Sequence, residues 1–136
     1  MSESIPELTL DEAWTMISET PDVVMIDVRT AAEWNFVGQP DLQSVGKQIR
    51  FVEWITFPDG SPNRSFLEEA SVGLDLDQPI LLICRSGARS LAAARALAAA
   101  GFTASYNVSD GFEGDLDGSG RRTTGWKGSG LPWRQN

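Results

Sequence analysis

An α/β fold is what the sequence predicts: a central, mostly parallel sheet held between helices in three α/β/α layers. Helix-type and strand-type patterns alternate from residue 9 to residue 108, the arrangement that builds such sheets. Two runs, Val23-Val24-Met25-Ile26 and Ile80-Leu81-Leu82-Ile83, are continuously apolar, as strands covered on both faces are. The chain has 136 residues, 41% hydrophobic and 22% charged, which suits one domain and leaves no room for a second full core. That domain is expected to span 1–136, with a core over about 8–110 and a Gly-rich tail from 111 to 136 packed on it.

Each element has a local reason. Thr9-Leu10-Asp11-Glu12 reads as a capping box, starting a helix through Ala13, Trp14, Met16 and Ile17 that stops before Pro21. Trp14, spaced with Ile17, reads as core. The Val23–Ile26 strand ends at Asp27-Val28-Arg29, and Thr30 then caps a short helix through Ala31, Ala32, Glu33 and Trp34, ending near Gly38. Ile49 to Ile55 is readable as a strand, and Pro58-Asp59-Gly60 as a turn. Asn63 or Ser65 is expected to cap a helix through Phe66, Leu67 and Val72 that closes at Gly73. The Ile80–Ile83 strand leads to an Ala/Leu-rich helix from Ser90 to Ala100, with Gly101 at its C′ position. Tyr106-Asn107-Val108 reads as the final strand. Beyond it, the tail holds seven of the 13 glycines, with Phe112, Trp126 and Trp133 as anchors for a pinned loop. Trp54 and Trp126 fit either core or pocket.

Composition removes whole classes of chemistry. Histidine is absent, so Ser-His-Asp and Cys-His pairs and His-based zinc sites are excluded. Cys84 is the lone cysteine, so no intrachain disulfide, Cys-cluster metal site or CxxC pair exists. Acidic residues outnumber basic ones 19 to 11, for a net charge of −8, which disfavours nucleic acid and anionic membranes as partners. No apolar run approaches the ~20 residues that span a bilayer. Met1-Ser2-Glu3-Ser4 carries no signal-peptide pattern, so the expected location is cytoplasmic.

The acidity is unevenly spread. From Gln78 to Ser109 there is no Asp or Glu, yet Arg85, Arg89 and Arg95 lie there with Cys84. A locally positive site in an acidic protein suits a small anionic ligand. An Ala-rich buried helix that merely lacks acids explains the same asymmetry, so the loop itself decides. Cys84-Arg85-Ser86-Gly87-Ala88-Arg89-Ser90 joins a buried strand to a strong helix. Such a joint aims backbone N–H groups and the positive end of the helix dipole at one point, where a reactive thiolate is favoured. Gly87 lets the chain curl into a nest of amides, and Arg85 and Arg89 supply charge. The competing structural reading makes Cys84 an inert, buried strand-end thiol. The flanking arginines and glycine favour a reactive thiol in an electropositive, partly exposed setting. For Asp27 and Arg29, an ion pair bracing the site, with Arg29 reaching Glu33 at i+4, is favoured over direct substrate contact.

These motifs resemble the rhodanese-like, or sulfurtransferase, family. Cys84-Arg85-Ser86-Gly87-Ala88-Arg89-Ser90 is similar to the active-site loop of single-domain rhodaneses. Ile26-Asp27-Val28-Arg29 with Glu33-Trp34 and Gly38 is similar to the family's first signature, and Gly125-Trp126 with Gly130-Leu131-Pro132-Trp133 to its usual ending. The likeness spans about residues 8–134. Two departures stand out: Gln39 replaces a histidine often found after the glycine, and the Pro40–Pro62 segment is longer than a minimal domain needs. Related phosphatase and arsenate-reductase domains carry a Cys-x5-Arg loop. Here the spacing is Cys84-x4-Arg89, the shorter loop associated with sulfur transfer, so phosphatase chemistry is a distant alternative.

The resemblance implies that Cys84 takes the outer sulfur of thiosulfate or another persulfide donor as a persulfide. Sulfite is a good leaving group, so no general acid, and hence no histidine, is required. The loop amides and Arg89 would stabilise the persulfide, and Arg85 would recognise a small anionic donor. With one cysteine in the chain, the acceptor must come from outside: cyanide, a thiol or a protein cysteine. No cofactor is implied. The competing class is a non-catalytic module that docks to a partner or senses sulfur or oxidants through Cys84. Asp115-Leu116-Asp117-Gly118-Ser119-Gly120 imitates a calcium loop, but Trp126 stands where the bidentate Glu belongs, so a turn is expected.

Overall fold

The structure is a computed structural model that describes residues 4–56 and 58–135. Residues 1–3 of the leader reading, Phe57 in the 40–62 segment and Asn136 at the tail's end lie outside the described residues. In chain order the elements are β1 (Glu7–Leu8), α1 (Leu10–Glu19), β2 (Val24–Asp27), α2 (Ala31–Phe36), β3 (Gln39–Pro40), a 3-10 turn (Gln43–Val45), β4 (Arg50–Phe51), α3 (Phe66–Ser71), β5 (Ile80–Ile83), α4 (Ala88–Ala99), β6 (Ser105–Val108) and β7 (Trp133–Arg134).

Five strands form a parallel sheet in the order β1-β6-β5-β2-β4, with β5 and β2 inside it. Every residue of β5 is buried, as its unbroken apolar run requires. Its side chains alternate between two cores. Leu81 and Ile83 point to the face covered by Leu10, Ala13 and Ile17 of α1, while Ile80 and Leu82 point to Phe66 and Ala70 of α3 and Ala93, Ala94 and Leu97 of α4. Burying each such chain stabilises the fold by roughly 1.5–3 kcal/mol. These are the three layers the pattern predicts. Among the described residues no helix is long and apolar enough to cross a membrane.

Capping follows the sequence closely. At α1, the Thr9 hydroxyl accepts the Glu12 N–H at 3.1 Å and the Glu12 carboxylate accepts the Thr9 N–H at 2.8 Å. Thr30 heads α2 with the same reciprocal pair, using Glu33. Gly101, at φ +107, follows the C-cap Ala100 of α4.

The structure corrects several boundaries. α4 begins at Ala88, two residues before the expected Ser90, because Gly87 turns the chain into the helix directly. The expected Ile49–Ile55 strand shrinks to Arg50–Phe51. Beyond it, Val52 and Trp54 still donate to the carbonyls of Asp27 and Val28 at 3.1 Å, and Ile55 bridges back to Pro62 instead. Ser65 stands at the N-cap of α3 without a side-chain cap bond, and Asn63 Oδ1 accepts the Ser65 N–H. Nor is β6 the final strand, since β7 pairs antiparallel with β3 to close the tail onto the segment after α2.

The tail contributes two side chains to the core. Phe112 and Trp126 are fully buried on the α1 face, and Trp126 meets Trp14 edge-on with ring centroids 5.8 Å apart. Trp133, 38% exposed, packs edge-on against Phe112 and anchors the tail from its partly exposed side. Trp54 packs edge-on against Phe66. Asp117 accepts the N–H groups of Ser119 and Arg121 at 2.9 Å, closing the expected turn.

Candidate active site

The carboxyl ends of β2 and β5 lie side by side, with Asp27 opposite Ile83 and the Val28 N–H donating to the Ile83 carbonyl at 2.9 Å. Asp27-Val28-Arg29 and Cys84-Arg85 therefore leave the sheet at the edge where parallel α/β sheets bind ligands. From Cys84 the chain curls into α4. The Gly87 N–H donates to the Cys84 Sγ at 3.1 Å, and the Ser90 hydroxyl stands 3.2 Å from the same sulfur. Gly87 occupies the N-cap in the left-handed region, and no side chain caps the helix. The first-turn amides thus keep their donor capacity for a ligand, beside the positive end of the helix dipole.

Two glycines make this curl possible. Gly87 has φ +110, and a Cβ there would stand 2.5 Å from the Ser109 carbonyl oxygen. Gly111 has φ +67 and passes directly beneath the loop, where a Cβ would meet the Arg85 oxygen at 2.5 Å and the Cys84 oxygen at 2.7 Å. That close passage brings three tail amides to the loop. Phe112 donates to the Cys84 carbonyl at 2.7 Å, and Glu113 and Gly114 donate to the Arg85 carbonyl at 3.0 and 3.1 Å. The tail therefore fixes the peptide orientation of the first two loop residues. Gly87→Ala is expected to destabilise the fold by about 3 kcal/mol and to move the Gly87 N–H off the sulfur. A urea titration checks this, and an unchanged midpoint would show that the loop relaxes freely.

A buried network backs the loop. Asn107 on β6 donates through Nδ2 to the Gly87 carbonyl at 3.1 Å and to Glu7 Oε1 at 2.9 Å, and its Oδ1 faces the Ser90 hydroxyl. Ser90 has one proton and three acceptors in reach: Cys84 Sγ, Gly87 O and Asn107 Oδ1. Asn107 was legible in the sequence only as part of a strand. Its signal was an amide side chain inside an otherwise buried β run.

The charges differ from the sequence reading in two ways. Arg29 does not reach Glu33. It is fully buried and grips Asp27, donating from Nε at 3.0 Å to Oδ1 and from Nη2 at 2.8 Å to Oδ2, and its Nη2 also donates to the Gly38 carbonyl at 2.8 Å. Its guanidinium lies 4.2 Å from the Phe112 ring centre, a cation–π stack that the tail supplies. Arg29 precedes the cap Thr30, so helical i+4 spacing does not apply to it. Glu33 instead pairs with Arg89, accepting from Nη1 at 2.7 Å and Nη2 at 2.9 Å. Arg85 faces Glu113 at a looser 3.6 Å. Arg85 and Arg89, two of the three arginines in the acid-free stretch, are thus met in space by carboxylates from the tail and from α2. Cys84 is 1% exposed, more enclosed than the partly exposed thiol the sequence suggested, with Ser86 half-buried and Arg85 and Ala88 exposed.

Glu33 does double duty. Burial alone would raise its pKa, but the Arg89 hydrogen bonds, the Thr30 N–H and the Thr30 hydroxyl together lower it from 4.5 to about 2. Those hydrogen bonds also raise Arg89 above its ordinary value against the cost of burial. A carboxylate whose folded pKa is depressed contributes stability above its unfolded value and loses it as pH falls through the folded one. The stability gap between wild type and Glu33→Gln is therefore expected to hold above pH 4.5 and to close towards pH about 2. Urea titrations across that range measure it, and a constant gap would contradict the ion pair's part in folding.

Comparison with known proteins fits this fold. The family model described as the STR4 middle domain matches residues 7–136, and the chain belongs to this rhodanese-like family. A crystal structure of Rv0390 from M. tuberculosis superposes with a TM-score of 0.91 at 47% identity, covering 98% of this chain and 100% of that one. An uncharacterised protein of Rickettsia conorii is 35% identical over 131 residues, 96% of this chain and 98% of its own. More distant is the thiosulfate sulfurtransferase GlpE of Glaesserella parasuis, 30% identical over 120 residues, 84% of this chain and 89% of its own. The polysulfide-sulfur transferase homodimer of Wolinella succinogenes matches with a TM-score of 0.66 at 27% identity, covering 97% of this chain and 80% of that one.

Proposed function

We propose that the chain is a sulfurtransferase that moves sulfane sulfur from thiosulfate or another persulfide donor to a thiophilic acceptor through a Cys84 persulfide. The observation that carries this reading is the Cys84 sulfur itself, set at the head of α4 with the Gly87 N–H at 3.1 Å and the Ser90 hydroxyl at 3.2 Å. Sulfurtransferase relatives support it. In the first half-reaction the Cys84 thiolate attacks the outer sulfur of the donor. A new S–S bond forms, the donor's S–S bond breaks, and its electron pair leaves with sulfite or a thiolate. The outer sulfur of the persulfide then sits among the first-turn amides, whose partial charges stabilise its anion. A second nucleophile takes that sulfur and returns Cys84 as thiolate. It comes from outside the chain, because Cys84 is the only cysteine.

In this reading Arg89, with both Nη groups committed to Glu33, pins the first turn of α4 to α2, and the exposed Arg85 meets the donor at the loop's outer side. Asp27 and Arg29 brace the neighbouring strand end. Cyanide with thiosulfate tests the proposal: double-displacement kinetics and thiocyanate formation are expected. A sequential pattern, with no dependence on Cys84, would contradict it. The enclosure of Cys84, 1% exposed, favours one second reading, a non-catalytic module that docks to a partner and whose thiol is structural. That reading predicts no turnover with any sulfane donor.

A further inference from the structure

We infer that Glu33 sets donor selectivity: by neutralising Arg89 beside the Cys84 loop, it favours alkyl persulfides, whose reacting end carries at most one negative charge, over dianionic thiosulfate. The inference rests on the sulfur-transfer reading above. Arg89 directs both Nη groups to Glu33, at 2.7 and 2.9 Å. The carboxylate is not free to swing aside, because its Oε1 also accepts the Thr30 N–H and hydroxyl, each at 3.1 Å. Arg29 is fully buried against Asp27. Arg85 faces Glu113 at 3.6 Å and is 48% exposed, so it is the most loosely held of the three. Each guanidinium around the loop therefore has its own carboxylate, in a chain of net charge −8.

Such a site offers neutral N–H donors rather than an uncompensated cation. A thiosulfate dianion has its sulfonate charge directly beside the attacked sulfur, and the Arg89 cation that would answer it at the head of α4 is already paired with Glu33. An alkyl persulfide needs only amides for its outer sulfur and room for a thiolate to depart. Both reactions balance. Thiosulfate dianion and the Cys84 thiolate give the persulfide anion and sulfite dianion. A protonated alkyl persulfide and the same thiolate give a protonated Cys84 persulfide and the alkyl thiolate, with no outside oxidant or reductant.

The test measures the rate at which Cys84 gains sulfur from thiosulfate and from cysteine persulfide, in wild type, Glu33→Gln and Glu113→Gln. Wild type is expected to load from cysteine persulfide at least about tenfold faster, and Glu33→Gln to raise the thiosulfate-to-persulfide ratio by about tenfold, as one uncovered charge beside the site would. Glutamine keeps an oxygen for the Thr30 N–H, so the cap on α2 survives. Glu113→Gln is expected to move the ratio less. A thiosulfate preference in wild type, an unchanged ratio in a folded Glu33→Gln, or a larger change in Glu113→Gln would overturn the inference. Should Glu33→Gln fail to fold, Arg89→Gln leaves Glu33 uncompensated and is expected to lower the ratio, and no change there overturns it equally. Loading by neither donor would instead remove the transfer reading, whereas loading by both at equal rates would overturn the selectivity inference alone.

Discussion

Cys84→Ser is expected to abolish sulfur transfer, lowering turnover by at least about a thousandfold, while leaving folding stability within about 1 kcal/mol of wild type. A hydroxyl fits where the thiol stood and still accepts the Gly87 N–H that lies 3.1 Å from the sulfur. The fold at the head of α4 therefore survives the change. Chemistry does not. Serine is a weak nucleophile without an adjacent base, and the chain has no histidine to activate it. A thiocyanate assay run beside a urea titration separates the two effects. Turnover that persists would remove Cys84 from the mechanism, and a large loss of stability would make it a packing residue first.

Asp27→Asn is expected to cost about 3–5 kcal/mol, because it leaves the Arg29 charge buried without its counter-ion. Both side chains of this pair are fully buried, and Asp27 also accepts the Arg29 backbone N–H at 3.1 Å. The remaining contacts of Arg29, with the Gly38 carbonyl and the Phe112 ring, are neutral and do not replace a carboxylate. Because domains of this size are typically stable by only about 5–15 kcal/mol, such a loss would leave much of the protein near its unfolding midpoint. Urea unfolding of the purified variant gives the number directly. A loss under about 1 kcal/mol would show that the guanidinium is held by its packing and not by Asp27.

What the sequence made legible is what local chemistry decides. β2 and β5 declared themselves through continuous apolar runs, α1 and α2 through their capping boxes, and α4 through its composition and closing glycine. The Cys84–Ser90 loop was readable because a strand end, a glycine and a helix start follow one another in the chain. Partnership across the fold was not readable. The Arg89–Glu33 pair joins residues 56 positions apart, and the Asn107–Glu7 bond joins residues 100 apart, so no periodicity announces either. For that reason a loop without acids in the sequence carries arginines paired with carboxylates in space. β3 and β7 escaped notice because each has two residues and one contains Pro40, too short to show alternation. The two glycines under the loop also behaved differently. Gly87 lies inside the motif, whereas Gly111 acts from the tail through a contact no motif contains.

Intact-protein mass spectrometry after incubation with a sulfane donor, with Cys84→Ser alongside, shows whether Cys84 carries the transferred sulfur. With one cysteine in the chain, any thiol-borne sulfur has a single address. Sulfur transfer through Cys84 requires a gain of one sulfur atom with cysteine persulfide or thiosulfate, removed by cyanide or a thiol and absent from the variant. No gain with either donor, or a gain that survives in Cys84→Ser, would contradict it.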